Sequence, residues 1–170
     1  MNTPFYIAAA VAIVSTLMVI TRSNAVHALL YLIVSLLSVA LIFFILGAPF
    51  VAALEVIIYA GAIMVLFVFV IMMLNLGPRT AAQEKQWLTP GIWVGPVILT
   101  VVLAAELVYV LTLGHETISD IRVVAPKQVG IALLGPYVLG VELASMLLLA
   151  GLVGAYHLGR RDRPEEGEKS

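Results

Sequence analysis

The sequence predicts an all-α, polytopic membrane protein, a bundle of five transmembrane helices. Of its 170 residues, 62% are hydrophobic and only 11% are charged, whereas a soluble domain is about half apolar and about a quarter charged. Five apolar runs are each long enough to cross a bilayer as a helix, which takes about 20 residues. The runs are continuous rather than alternating in polarity, which disfavours a β-barrel.

Taken in chain order, the predicted spans are separated by polar or helix-breaking residues. Arg22-Ser23-Asn24 forms a polar turn after the first span, Gly47-Ala48-Pro49 interrupts the chain after the second, and Gly77-Pro78 ends the third. Proline has no amide hydrogen and does not continue a helix. The spans cover about 5–21, 27–46, 51–76, 92–113 and 130–158. Residues 1–158 are therefore predicted to form one transmembrane domain, followed by a charged cytoplasmic tail at 159–170.

The distribution of basic residues predicts the orientation in the membrane. No Lys or Arg precedes the first apolar run, so we interpret it as a retained span and not as a signal peptide. With five spans, seven of the nine basic residues fall on the side of the C-terminus, which the positive-inside rule places in the cytoplasm, with the N-terminus in the periplasm. These seven are Arg22, Arg79, Lys85, Arg160, Arg161, Arg163 and Lys169.

Composition and motifs exclude several functions. The chain has no cysteine, which excludes disulfides, thiolate metal sites and iron–sulfur ligation by cysteine. It contains no Walker loop, dinucleotide-binding glycine motif, HExxH or GxSxG. Axial haem ligation by His27 and His157 is disfavoured, because both lie at the predicted ends of their spans rather than within them. We therefore expect no catalytic site, no metal site and no nucleic-acid partner for this chain.

The third span carries the most informative polar residue. Glu55 lies inside an apolar run, where a carboxylate costs a few kcal/mol on insertion scales. Tyr59 follows at i+4 and so shares its helix face. One interpretation is a carboxylate that relays protons or orders water, with Tyr59 as its hydrogen-bonding neighbour. The other is a structural polar contact, or a side chain that extends to the membrane interface, and the residues alone leave both open.

Gly61, between two alanines, allows two interpretations. Small residues let helices pack closely, whereas a local π-bulge tends to occur at functional positions. Because π-helix is rare, the residues alone favour close packing.

The fourth and fifth spans contain Glu106 and Glu142 near mid-membrane, and both are predicted to face the bundle or a partner rather than lipid. Ser145 follows Glu142 and makes a polar role there more plausible, whereas a hydrogen bond to a neighbouring subunit is preferred for Glu106. The fifth span also carries small residues that predict tight helix packing: Gly140, Ala144, Gly151 and Ala155.

The block EVIIYAGAIMVLFVFV from Glu55 to Val70 resembles the J-subunit family of the bacterial proton-pumping NADH:quinone oxidoreductase, respiratory complex I. The mitochondrial counterpart of that family is NADH dehydrogenase core subunit 6. The segments NAVHALLYL at 24–32, GPY at 135–137 and VELAS at 141–145 resemble it too. The resemblance covers most of the chain except the segment between the fourth and fifth spans and the tail.

The resemblance implies a non-redox subunit of the membrane arm in the bacterial inner membrane. Its partners would be the lipid bilayer and the membrane-arm subunits A, H, K and N, of which H forms the quinone cavity. NADH, FMN, iron–sulfur clusters and the quinone, such as ubiquinone, would all be bound by other subunits and none by this chain.

The resemblance also implies a gate in the third span. In the family this helix carries a π-bulge and changes conformation during turnover, which assigns the bulge to the Tyr59–Gly61–Val65 region and reverses the packing preference at Gly61. The implied proton path and gate comprise Glu55, Tyr59, Gly61, Met64, Val65 and Phe67. A structural subunit without a direct proton role is the alternative, and Glu106 belongs to no motif of the family.

Overall fold

The computed structural model describes residues 2–22, 25–74, 90–113 and 123–160, and these residues form helices and short connections without any strand. The helices are α1 (Asn2–Thr21), α2 (Ala25–Ile45), α3 (Pro49–Leu54), a π-helix (Glu55–Ile63), α4 (Met64–Leu74), α5 (Pro90–Leu113), α6 (Pro126–Leu134) and α7 (Val138–Gly159). The all-α prediction is confirmed.

Among the described residues, five stretches are long and apolar enough to cross a membrane, as predicted. They are Thr3–Thr21, Ala25–Ile45, Pro49–Met73, Trp93–Thr112 and Val138–Gly159. The described residues fall into two compact units, which divide between Ala125 and Pro126. The first four spans therefore belong to one unit and the fifth to the other.

The predicted break at Gly47-Ala48-Pro49 is confirmed and is a well-formed helix end. The amides of Gly47 and Ala48 donate to the carbonyls of Phe44 and Phe43 at 3.1 and 2.9 Å, which is the hydrogen-bond pair of a Schellman motif. Gly47 has a φ of 82°, a conformation that glycine adopts without steric cost. Pro49 then occupies the first position of α3, where its missing amide hydrogen is not needed.

In the first unit α2 lies at the centre of the packing. It contacts α1, α3, the π-helix, α4 and α5. The buried core combines α1, α2 and α5, and consists of Ala8, Val11, Val34, Leu41, Ile45, Leu103 and Val110. Between α1 and α2 the hydroxyls of Thr16 and Ser35 lie 2.9 Å apart in a hydrogen bond. Within α2 the hydroxyl of Ser38 donates to the carbonyl of Val34 at 2.8 Å.

The second unit corrects the predicted fifth span. That span was expected to run unbroken over 130–158, but α6 ends at Leu134 and α7 begins at Val138. Between them the amide of Tyr137 donates to the carbonyl of Ala132 at 3.1 Å. Pro136 supplies no amide hydrogen to the ladder, and a Cβ at Gly135 would lie 2.8 Å from the carbonyl oxygen of Ile131. The membrane-spanning helix therefore starts about two turns later than predicted.

Several predictions fall outside the described residues: the turn at Ser23-Asn24, the stop at Gly77-Pro78 and all of the charged tail beyond Arg160. The periplasmic position of the N-terminus and the cytoplasmic position of the C-terminus stay predictions.

Candidate functional site

The third span changes its hydrogen-bond register inside the membrane. At its start the amide of Glu55 donates to the carbonyls of Val51 and Ala52, which includes the i→i−4 bond of an α-helix. At the end of the π-helix the amide of Met64 donates to the carbonyls of Tyr59 and Gly61, which includes the i→i−5 bond of a π-helix. One span thus contains α3, nine residues of π-helix and α4.

Gly61 lies within this π-helix, which corrects the preference for simple close packing that its flanking alanines suggest. The π-helix implied by the family resemblance near Tyr59–Gly61–Val65 is observed at Glu55–Ile63, so Val65 lies beyond it in α4. A Cβ at Gly61 would lie 3.1 Å from the carbonyl oxygen of Val56, closer than ordinary van der Waals contact. Glycine at this position therefore avoids a tight contact with the backbone five residues earlier.

Glu55 and Tyr59 are both within the π-helix. Glu55 is its first residue and is partly buried, and Tyr59 is 49% exposed. Within the part of the chain that the structure describes, neither the carboxyl of Glu55 nor the hydroxyl of Tyr59 makes a hydrogen bond. Both polar groups are therefore open to water or to a neighbouring chain.

Three of the predicted gate residues follow the π-helix, and they differ in burial. Met64 is only 4% exposed, whereas Val65 is 64% and Phe67 is 50% exposed. Because α2 contacts both the π-helix and α4, Met64 is buried on the side of α2. Val65 and Phe67 face away from this core.

An apolar groove of about 420 Å³ adjoins the start of the π-helix. Its walls come from α2, α3 and α5, and Val56 brings the π-helix to its edge. No signal in the sequence indicates this groove, because it depends on how three helices pack and not on any local motif.

The remaining predicted polar residues are not part of this site. Glu106 lies on α5 and is buried against α1, with 6% exposure. In the second unit the hydroxyl of Ser145 donates to the carbonyl of Val141 at 2.9 Å, so its hydrogen is not directed at Glu142. No heavy atom lies within 4 Å of a Cβ built at Gly140 or Gly151, so the predicted packing along this stripe is not provided within α6 and α7.

The candidate site combines few polar groups. Among the described residues no group of three or more His, Cys, Asp or Glu side chains is placed to hold a metal ion. What the site does offer is a carboxyl and a phenol on a helix segment whose hydrogen-bond register differs from that of both neighbours.

The chain is similar to known proteins over almost its whole length. The family model described as NADH-ubiquinone/plastoquinone oxidoreductase chain 6 matches residues 15–158. The chain is 62% identical to the NADH-quinone oxidoreductase subunit J of Pseudomonas aeruginosa over 169 residues, which covers 95% of this chain and 98% of the relative. It is 57% identical to the protein of that name from Escherichia coli K12, over 98% of this chain and 90% of the relative. The corresponding protein of Buchnera aphidicola from Baizongia pistaciae is 40% identical over 157 residues.

Proposed function

The chain belongs to the NADH-ubiquinone/plastoquinone oxidoreductase chain 6 family and is a membrane subunit of an NADH-quinone oxidoreductase, and from this premise we propose that its third span couples quinone reduction to proton translocation. The π-helix at Glu55–Ile63 is the moving part, and it acts as a gate. The observation that carries the proposal is the change of register between Glu55 and Met64.

A helix that can hold either an α or a π register is a discrete two-state element. Converting the π segment to α would turn the helix that follows by the angle of one residue, about 100°. Met64 would then leave its buried position on α2, and one of its exposed neighbours, such as Val65, would take its place. The two registers therefore present different side chains to the same space.

This rotation controls water beside a proton-carrying group. Glu55 and Tyr59 have no hydrogen-bond partner among the described residues, so water that enters the path can bond to them. When Met64, Val65 and Phe67 leave the path open, water reaches these groups and protons pass. When they fill it, the path is dry and closed.

The chemistry that drives the gate takes place in other subunits. NADH, FMN, iron–sulfur clusters and the quinone are bound elsewhere in the complex, and this chain has no catalytic site. Its partners are the membrane-arm subunits A, H, K and N, with the quinone cavity in H, and its location is the bacterial inner membrane. The exposed apolar faces of the third span, with Ile57, Val65 and Leu66 each at least 60% exposed, support contacts with such neighbours or with lipid.

Replacing Gly61 by valine tests the gate. The new Cβ would crowd the carbonyl of Val56 in the π register, so the α register becomes favoured. We expect an assembled complex that oxidises NADH but translocates fewer protons per quinone reduced, measured in inverted membrane vesicles. Ala62→Val adds the same branched side chain one residue later at an exposed position and serves as the matched control. Unchanged assembly, rate and stoichiometry in the Gly61 variant would exclude the gate.

The second candidate is a structural subunit with no direct proton role. It is supported by the large exposed apolar faces of the third span and by the absence of a hydrogen bond between Glu55 and Tyr59. Glu55→Gln separates the two functions, since it keeps the shape of the side chain and removes its proton exchange. Lost pumping in an intact complex supports the gate, whereas a complex that fails to assemble supports the structural role.

A further inference from the structure

Glu106 is a second acidic group in the membrane, and the gate does not use it. It lies on α5, six residues before the end of the span at Thr112, which corresponds to a depth of about 9 Å. Its side chain is 6% exposed, and both carboxyl oxygens are shielded from solvent without a hydrogen-bond partner among the described residues. The backbone amide of Ala8 on α1 faces the carboxyl, outside hydrogen-bond geometry.

No positive charge in the described part of this unit compensates a carboxylate at that position. Arg22, directly after α1, is the one Lys or Arg among the described residues of this unit, and it lies fourteen residues beyond Ala8, which corresponds to about 21 Å of helix. His27 on α2 lies beside the same end of α1 as Arg22. An ionised carboxylate without partner or water is far more costly to bury than a neutral one. The surroundings of Glu106 therefore favour the carboxylic acid over the carboxylate.

A groove leads to Glu106 from the side of the membrane where α1 begins. It has a volume of about 500 Å³ and is lined by Thr3, Pro4 and Ile7 of α1 and by Val102, Ala105 and Tyr109 of α5, with Glu106 itself in its wall. Thr3 is exposed and Tyr109 is 53% exposed, so the polar groups of the groove are at its open part. Among the described residues, the phenol of Tyr109 is the one other titratable group in the lining, which contains no Lys, Arg or His.

We propose that Glu106 is a membrane-embedded proton-binding site, which is neutral at rest and exchanges its proton with water that enters this groove between α1 and α5. The site is separate from the π-helix, since it lies on another helix and its groove includes no described residue of the third span. The ligand is a proton. The groove brings water or an apolar reagent to the side chain of Glu106, and a small movement of that side chain then exposes its oxygens, which this chain covers at rest.

The proposal excludes a different use of the same carboxyl, namely an ion pair with a basic side chain of a neighbouring subunit. An ion pair would need the carboxylate form, and among the described residues no hydrogen-bond donor and no cation stabilises that form at Glu106. A neutral acid also tolerates replacement by a neutral isostere, whereas one half of an ion pair does not.

Dicyclohexylcarbodiimide labelling of the assembled complex in native membranes tests the proposal. The reagent reacts with a protonated carboxyl in an apolar site: the acid adds across one C=N bond, and the acyl group then migrates from oxygen to nitrogen, so that no atom is lost. We expect the adduct on the α5 peptide, at Glu106, by mass spectrometry. Glu106→Gln should abolish this adduct and leave the amount of assembled complex within twofold of wild type.

A second measurement separates protonation from access. The infrared difference between wild type and Glu106→Gln should contain the carbonyl stretch of a protonated carboxylic acid. A carboxylate band in its place, an unmodified Glu106, or loss of the complex in Glu106→Gln would each overturn the proposal, the last by showing that the charge is needed for assembly. Because none of these readouts measures pumping, the result is independent of the gate proposed for the third span.

Discussion

The second and third spans are adjacent, similarly long and similarly apolar, but they are held in different ways. Of the most apolar window of α2, 44% is buried within this chain, against 6% for the third span. α2 contacts every other helical element of its unit, and its hydroxyls bond to α1 and to its own backbone. The third span is held chiefly along α2, and near its middle it departs from α-helical hydrogen bonding.

This difference shows where a change of register is least costly. A residue of α2 cannot rotate without breaking contacts on several sides, because cores are packed at high density. A rotation of the third span breaks fewer contacts within this chain, with Met64 as its most buried residue. In a chain built of apolar helices, the distribution of packing therefore separates the helix that is held on several sides from the one for which we propose a change of register.

The largest expected effect comes from disturbing the packed side, at Gly95. A Cβ there would overlap the hydroxyl of Tyr31 and would lie 3.1 Å from the Cζ of its ring, and Tyr31 is only 5% exposed. Overpacking a core typically costs about 1–3 kcal/mol, so Gly95→Val should lower the thermal stability and the amount of the complex. Detergent-solubilised complex with a melting curve provides the measurement.

A double-mutant cycle identifies the cause. Tyr31→Phe removes the hydroxyl that a Cβ at position 95 would meet first and keeps the ring, which lies 5.6 Å from the guanidinium of Arg22. Gly95→Ala should therefore cost less in the Tyr31→Phe background than in wild type, by about 1 kcal/mol, within the range of couplings between contacting residues. Equal costs in both backgrounds would rule out this contact.

A smaller effect is expected in the less packed third span, at Gly61. Alanine favours α-helix over glycine by about 1 kcal/mol, and its Cβ would crowd the carbonyl of Val56 in the π register. In hydrogen–deuterium exchange, the wild-type amides of Glu55–Ile63 should exchange faster than those in the middle of α2, because few buried contacts protect them. Gly61→Ala should slow this exchange about fivefold and leave α2 unchanged. Equal protection of the two segments in wild type would remove the contrast between the spans.

The spans themselves were predictable from the sequence because length and continuous apolarity alone define them. The break at Gly47 and Pro49 was predictable too, since both residues act locally, one through its positive φ and the other through its missing amide hydrogen. The break at Gly135-Pro136-Tyr137 was missed although it contains the same residue types. There a continuous apolar composition on both sides concealed a turn of three residues.

The site was predictable only in part. Gly61 alone favoured close packing, and only the family resemblance implied the π-helix, because a register change leaves no trace in composition. Glu106 was expected to face the bundle or a partner, but its two shielded oxygens and its groove follow from the crossing of α1 and α5. The hydrogen bond between Thr16 and Ser35 likewise depends on how α1 packs against α2, since a single hydroxyl in an apolar run does not indicate its partner.

The smallest expected effect distinguishes two serines at the α1–α2 contact. Ser35 shares a hydrogen bond of 2.9 Å with Thr16, whereas the hydroxyl of Ser15 is fully buried and has no partner among the described residues. Hydrogen bonds between membrane helices contribute about 0.6 kcal/mol on average, so Ser35→Ala should lower the melting temperature of the complex slightly. Ser15→Ala removes an unsatisfied group from the core, so it should leave stability unchanged or raise it. If the two substitutions had equal effects, hydroxyl pairing would not hold α1 against α2, and apolar packing alone would account for the rigidity of this side.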